Sequence, residues 1–204
     1  MYVLGITGPI AAGKTTVMGL FVSLGAEALA ADDLTRELMA PGSALVAAIA
    51  DEFGASFLLS DGSLDRRALG RMVFADPDAL SRLNRIVHPT LKDTIARRIH
   101  QARSRPEPPP VLVVEAAVMG EMGALDLLDG LLYVDADEAT RVRRLVQRDG
   151  MDLEEATCRV RAQEAVRHLA KKANWVMDGA QDLDALRAQC VTIYKAIGWS
   201  RPSS

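Results

Sequence analysis

The sequence has few cysteines and histidines and no long apolar run, and each shortage excludes a class of protein. Its two cysteines, Cys158 and Cys190, lie far apart and form no CxxC pair, which indicates a reducing compartment and not a disulfide-stabilised scaffold. Its three histidines, His88, His100 and His168, lack zinc-ligand spacing. No apolar run approaches the roughly 18 residues of a membrane-spanning helix. We therefore predict a cytoplasmic protein that does not enter a membrane.

The charge balance excludes a second class. The 204 residues carry 24 basic and 27 acidic side chains, a formal net charge of −3. A dedicated nucleic-acid binder usually shows a basic excess, so no nucleic-acid partner is expected. The first residues also lack the basic segment that opens a signal peptide. With 49% hydrophobic residues the chain is too apolar for global disorder, and its length predicts one domain with an elaboration.

Five apolar segments predict a parallel sheet. The clearest are 2–6, 111–115 and 131–135, and weaker ones are 27–31 and 173–178. Strands that are apolar on both faces are typical of a sheet covered by helices on both sides. Strand and helix alternate along the chain, as in α/β proteins. The predicted fold is a three-layer α/β/α arrangement around a parallel five-stranded sheet.

Helical periodicity fills most of the remaining chain. A helix is predicted over 14–24, and 33–99 is mostly helical, with an interruption at 88–89 where a proline follows His88. Two more helices are predicted over 137–148 and 152–169.

The turn between the first strand and the first helix carries the strongest motif. Residues 8–16 match G-x-x-x-x-G-K-[ST], the phosphate-binding loop. Backbone N–H groups of such a loop surround phosphate oxygens, and the following helix N-terminus adds its positive dipole end. Lys14 supplies a full charge for the β and γ phosphates, and the Thr15 hydroxyl is a Mg²⁺ ligand. The motif predicts an ATP and Mg²⁺ site formed by Gly8, Ala11, Ala12, Gly13, Lys14, Thr15 and Thr16.

Two alanines occupy interior positions of this loop that glycine or serine often fills. If Ala11 or Ala12 needs a positive φ, the methyl group costs about 1 kcal/mol or more. The chain lacks the Asn/Thr-Lys-x-Asp motif of regulatory GTPases. A small chain whose phosphate loop begins near residue 8 indicates a kinase of nucleosides, nucleotides or similar small acceptors.

Further blocks resemble the dephospho-coenzyme A kinase family over nearly the whole chain. They are, in order, 5–16, 31–36 with Pro41-Gly42, 49–54, 61–69, 73–74, the L-N-x-I-x-H-P run at 83–89, and 141–149 with Gln163. The chain departs from the family pattern where Ala30 replaces an acid, Glu115 replaces Asp, Ala117-Val118-Met119 replaces P-L-L, and Gly179-Ala180 falls in the N-x-G block.

The resemblance implies phosphoryl transfer from ATP to the ribose 3′-hydroxyl of dephospho-CoA. It implies one P-loop kinase domain over 1–204, with a helical acceptor region at 33–100 and an arginine-bearing lid at 137–170. Two alternatives stay open: a kinase of another small acceptor, such as a nucleoside monophosphate, or a catalytically impaired nucleotide-binding relative. A monomer or a weak homo-oligomer is expected.

Two carboxylates are candidates for work beside the loop. Asp32 follows the second strand, at the sheet edge where ligands of open α/β sheets bind, and is predicted to orient and deprotonate the acceptor hydroxyl. Helix N-capping is the alternative for Asp32, and Asp33 competes for either role. Glu115 ends a buried strand and either orders Mg²⁺ through water or pairs with a neighbouring base.

Basic residues complete the predicted site. Arg141, Arg144 and Arg148 share one helical face, and Arg144 and Arg148 are predicted to stabilise transition-state charge. Solvated surface positions are the alternative for each. The resemblance implies that His88 positions the acceptor and that Arg36 meets its pyrophosphate. Two further arginines, Arg66 and Arg67, are candidates for that contact or for simple surface charges.

Overall fold

The structure of the protein is a computed structural model and is described for residues 1–198. It contains one sheet of five parallel strands. The strands are β1 (Tyr2–Thr7), β2 (Glu27–Ala30), β3 (Val111–Glu115), β4 (Gly130–Asp135) and β5 (Trp175–Asp178). Their order is β2-β3-β1-β4-β5, and each neighbouring pair runs parallel. All five carboxyl ends therefore meet at one edge of the sheet.

In residues 1–198 one α-helix follows β1, four follow β2, two follow β4 and one follows β5. They are α1 (Lys14–Ser23), α2 (Ala31–Leu38), α3 (Ala44–Phe53), α4 (Arg66–Ala75), α5 (Pro77–Arg103), α6 (Glu138–Asp149), α7 (Leu153–Ala162) and α8 (Leu183–Gly198). Three short 3₁₀ helices span Ala55–Phe57, Ala124–Leu127 and Glu164–Lys172.

Helices cover both faces of the sheet. On one face α1 and α8 pack on inward side chains of β1, β3 and β4, with Phe21 and Cys190 fully buried among them. On the other face Tyr133 of β4 packs against Val166 and Leu169 of the 3₁₀ helix 164–172. The predicted three-layer fold is therefore confirmed, because strands that are apolar on both sides need both coverings.

The chain separates into two compact units. One contains residues 1–30 and the chain from Ile99 onward, and the other is Ala31–Arg98. The first unit holds the sheet with α1, α6, α7 and α8. The second has its own apolar core, formed by Leu45, Ile49, Leu64, Leu69, Val73, Ala79 and Val87. In residues 1–198 no helix is both long and apolar enough to span a bilayer.

Two predicted boundaries in the second unit are wrong. Ala31, predicted as strand, is the first residue of α2. The helix predicted to break at His88-Pro89 runs on without interruption as α5. Proline in a helix interior costs about 3 kcal/mol. However, Val87, Leu91 and Ile95 recur every four residues and are almost fully buried. Burial of one such side chain contributes about 1.5–3 kcal/mol, so the stripe outweighs the proline.

Two further differences lie in the first unit. The single helix predicted over 152–169 ends at Ala162, and a 3₁₀ helix begins at Glu164. The change falls at Gln163, whose side chain bonds to the phosphate loop. The sequence reasoning also missed α8, which buries Leu186, Cys190, Ile193 and Ile197.

Candidate active site

The phosphate loop leaves the sheet at the carboxyl end of β1. Gly8 has φ +144°, and a Cβ there would collide with the backbone carbonyl of Val134 on β4. Only glycine allows the chain to turn so close to the neighbouring strand. Ala11 has φ +59° and, in residues 1–198, it is the one non-glycine residue with a positive φ. The strain expected for an alanine with a positive φ is therefore present at Ala11 and absent at Ala12.

The loop leads directly into α1, whose N-terminus suits an anion. Gly13 at the N-cap position provides no side-chain hydrogen bond, and the first turn contains no acid. The first N–H groups of a helix have no intrahelical partner, so here they can bind phosphate. Thr15 and Thr16 are exposed in the same turn. The Lys14 Nζ atom donates a hydrogen bond to the Pro9 carbonyl at 3.1 Å, which keeps the ammonium over the loop.

Arg144 of α6 binds the backbone of this loop. Its Nη1 atom donates to the carbonyl oxygens of Ala11 and Ala12, each at 3.0 Å, and its Nη2 atom donates to that of Gly179 at 2.6 Å. The sequence predicted Arg144 as a ligand of transition-state charge. In the structure its guanidinium instead joins the loop to the segment after β5.

Gly179 makes this junction possible. A Cβ at Gly179 would lie 2.8 Å from the Cγ1 atom of Val134 and would collide with the Ala12 carbonyl oxygen. The Gly179 N–H also donates to the Asp135 carbonyl at 2.7 Å, at the end of β4. In the sequence Gly179 stands out only as a departure from the family pattern. The structure shows that this position needs glycine because backbone and side chain approach it closely.

Gln163 is a second contact that the sequence reasoning did not assign to the loop. Its Oε1 atom accepts a hydrogen bond from the Ile10 N–H at 2.7 Å. The side chains of Ile10 and Ala11 pack against an apolar cluster of α6 and α7, formed by Val142, Leu145, Ala156 and Val160. The signal in the sequence was the position of Gln163 within the lid predicted at 137–170, in the block that resembles the family's lid.

The other two arginines of α6 have different surroundings. Arg141 is fully buried, and its Nε atom donates to the Ala136 carbonyl at 3.0 Å. Arg148 is exposed and pairs with Asp149 at 2.7 Å. The hydrogen bond that Arg148 donates to the Asp149 carboxylate raises the pKa of Arg148. The three arginines share a helical face, yet only Arg148 presents its charge to solvent.

Glu115 lies at the same sheet edge as the loop. It is the last residue of β3, is 8% exposed, and stands in register between Ile6 of β1 and Ala30 of β2. Beside it the Thr7 hydroxyl donates to the Ala117 carbonyl at 3.3 Å. A carboxylate at the end of a central strand is therefore positioned close to the start of the phosphate loop.

The remaining predicted residues belong to the second unit. Asp32 is exposed in the first turn of α2, one residue inside the helix, so the N-cap alternative is wrong. Asp33 and Arg36 form an ion pair on the surface of the same helix. His88 is half-buried in the middle of α5. Arg66 donates to the Met39 carbonyl at 3.4 Å, and Arg67 is exposed.

A parallel sheet whose first strand runs through a G-x-x-x-x-G-K-T loop into an uncapped helix defines a P-loop kinase fold. Comparison with known proteins agrees. A solved structure of a dephospho-CoA kinase from Campylobacter jejuni superposes with a TM-score of 0.69 at 24% identity, covering 97% of both chains. A shikimate kinase from Acinetobacter baumannii in complex with shikimate has a TM-score of 0.57 at 15% identity, covering all of this chain and 96% of that one. At such identities the likeness concerns the fold.

Sequence comparison gives the family. The family model for dephospho-CoA kinase matches residues 2–184. A dephospho-CoA kinase from Geobacter metallireducens is 40% identical over 195 residues, covering 96% of each chain. The chain therefore belongs to the dephospho-CoA kinase family. The predicted family, fold class and kinase class are confirmed.

Proposed function

We propose that the chain transfers the γ-phosphoryl group of ATP to the ribose 3′-hydroxyl of dephospho-CoA, giving coenzyme A and ADP. One observation carries this: an uncapped α1 N-terminus behind a phosphate loop, in a chain whose family model extends over residues 2–184. The loop provides N–H groups and Lys14 for the phosphates, and membership of the family indicates the acceptor.

The residues of the loop fit ATP with Mg²⁺. The uncapped N-terminus of α1, the Lys14 ammonium and the absence of an acid in the first turn favour a triphosphate. Mg²⁺ in such sites is held by few protein oxygens together with substrate phosphates. The exposed Thr15 hydroxyl is our proposed ligand, with Glu115 acting through water. When bound, the ion neutralises charge that develops on the β and γ phosphates.

Asp32 is the proposed base. It takes the proton from the 3′-hydroxyl as that oxygen bonds to the γ phosphorus, and the bond from that phosphorus to the bridging oxygen breaks to leave ADP. One fact favours Asp32 over its neighbour: both carboxylates are exposed, but Asp33 is paired with Arg36. We propose Arg36 and His88 as acceptor-binding residues and Arg148 as a ligand of transition-state charge, within a lid at 137–170 and an acceptor region at 33–100.

An acceptor panel tests the proposal. Purified protein with ATP and Mg²⁺ is offered dephospho-CoA, its 3′-deoxy analogue, AMP and shikimate, and ADP release and product mass are followed. Phosphorylation of dephospho-CoA, with none of the 3′-deoxy analogue, is the expected result. Lys14→Ala should abolish transfer, and Lys195→Ala, on exposed α8 surface, should not change it. Preferential turnover of AMP would favour a nucleotide kinase, and ATP binding without any transfer would indicate an impaired relative.

The location and assembly of the protein belong to the same proposal. We propose a cytoplasmic enzyme that acts as a monomer or weak homo-oligomer and binds no nucleic acid. Sedimentation across a concentration series, with and without ATP, tests the oligomeric part.

A further inference from the structure

We infer that Arg144 and Gln163 form a clamp that holds the phosphate loop in its nucleotide-binding shape. Arg144 is then a positioning residue and not a ligand of the transferred group. The inference rests on the proposed function, because it concerns how that site binds nucleotide. The three parts of the clamp are backbone hydrogen bonds from Arg144, a side-chain hydrogen bond to Gln163, and apolar packing of the loop tip.

The loop contains a conformation that needs support. Ala11 lies in the left-handed region, at φ +59°, where a side chain is disfavoured. Such residues persist only where their surroundings determine them. The carbonyl oxygens of Ala11 and Ala12 face the same direction, and the Arg144 Nη1 atom lies 3.0 Å from both. One cation therefore holds the two consecutive peptide groups that follow the strained residue Ala11.

The other face of the loop is held by α7. The Ile10 N–H donates to Gln163 at 2.7 Å. The Ile10 and Ala11 side chains pack on the buried cluster of α6 and α7. Because that cluster uses the Ala11 methyl group, alanine contributes a contact that glycine lacks. The loop tip is thus attached to the region that the sequence predicted as a lid.

The third bond of Arg144 connects the clamp to the sheet. Its Nη2 atom binds the Gly179 carbonyl at 2.6 Å, and the Gly179 N–H binds Asp135 at the end of β4. Hydrogen bonds from a charged donor are stronger than neutral ones. With its guanidinium on three carbonyls, Arg144 stabilises the loop before any nucleotide arrives.

Amide hydrogen exchange and ADP binding test the clamp. The Ile10 and Ala12 amides are hydrogen-bonded, to Gln163 and to Pro9 respectively, so they report loop order without ligand. In nucleotide-free Arg144→Met, we expect both amides to exchange faster, and the Kd for ADP to rise about tenfold to a hundredfold. At saturating ATP, kcat should stay within about threefold of wild type. Arg143→Met, an exposed change on the same helix, should alter none of these values.

A residue that acts on the transferred group gives the opposite pattern: a fall in kcat, with apo exchange and ADP affinity unchanged. Either unchanged exchange at Ile10 and Ala12 or an unchanged Kd for ADP overturns the inference. Gln163→Leu is the second variant should Arg144→Met not fold, and its Ile10 amide must exchange faster for the clamp to stand. If wild-type protein binds ADP but does not phosphorylate dephospho-CoA, the proposed acceptor is wrong. The amide exchange and the Kd for ADP still test the clamp in that case.

Discussion

Replacement of Gly179 by alanine should damage the phosphate loop from outside it. A Cβ at this position would lie 2.8 Å from Val134 Cγ1 and would collide with the Ala12 carbonyl. Carbon atoms pack best at about 3.5–4.0 Å, so the segment after β5 and the loop must separate by roughly 1 Å. Overpacking of this kind costs about 1–3 kcal/mol. In a protein of this size that lowers Tm by roughly 2–12 °C.

The displacement should affect catalysis more strongly than stability. The atom that must move is the carbonyl of Ala12, one peptide before the N-cap of α1, and Arg144 binds both Ala12 and Gly179. A shift of about 1 Å in a positioning element can cost about a hundredfold in rate. We expect kcat/KM for ATP to fall about tenfold to a hundredfold, measured by coupled ADP release. Far-ultraviolet circular dichroism gives Tm on the same samples.

Gly19→Ala is the matched control, because Gly19 is exposed within α1 and a Cβ there meets nothing within 4 Å. Alanine is favoured over glycine in a helix interior by about 0.5–1 kcal/mol, so this variant should unfold at a slightly higher temperature with unchanged kinetics. Wild-type kcat/KM and Tm in Gly179→Ala would refute the close approach on which this reasoning depends.

Four more predictions concern other residues. Asp32→Asn should lower kcat by at least about a hundredfold with near-normal ATP affinity, and Asp33→Asn should not; equal kcat values for the two variants would remove Asp32 as the base. Arg148→Gln should lower kcat at saturating ATP without a change in ADP affinity, since Arg148 is exposed and contacts no part of the loop backbone; weakened ADP binding would contradict this. A thiol reagent at pH 8 should label Cys158 only, because burial raises the pKa of Cys190 to about 11, and rapid labelling of both would be contradictory. Since the folded pKa is raised, the protein should also lose stability as pH rises from about 9 to about 11, measured by denaturant midpoint.

The three central strands of the sheet were predictable because they are short and apolar on both faces. Runs such as Val111–Glu115 have few alternatives, and every residue of that run is buried. The helices were harder. Pro89 indicates a break by local rules, but the buried stripe around it decides for a continuous helix. The apolar residues of α8 have helical spacing, but this sequence pattern is no stronger than that of a surface helix. Only the packing of α8 beside α1 in the structure distinguishes it.

The candidate site was also predictable only in part. A local motif predicts the loop, its lysine and its threonines. The same motif predicts that the loop lies between β1 and α1. The partners of the loop do not follow from it, since Arg144, Gln163 and Gly179 lie more than 130 residues away from the loop residues that they contact. Arg144 was predicted as a site residue that binds transition-state charge, whereas its guanidinium binds three backbone carbonyls in the structure. The sequence pattern of an arginine on a helix face is the same whether its guanidinium binds a phosphate or a backbone carbonyl.

The alanines of the loop show why the departures from the family pattern do not by themselves indicate lost function. Ala11 is strained by its positive φ, but its methyl group packs on the cluster of α6 and α7, and its carbonyl binds Arg144. Ala12 has no such strain and is fully buried. Gly179, in turn, is the residue that gives the Ala12 carbonyl its space. The three substitutions are physically linked, because each of them fits a contact made by another part of the same junction. The charged donor on two adjacent carbonyls leaves the loop with its own defined conformation, so these alanines do not by themselves indicate an impaired relative.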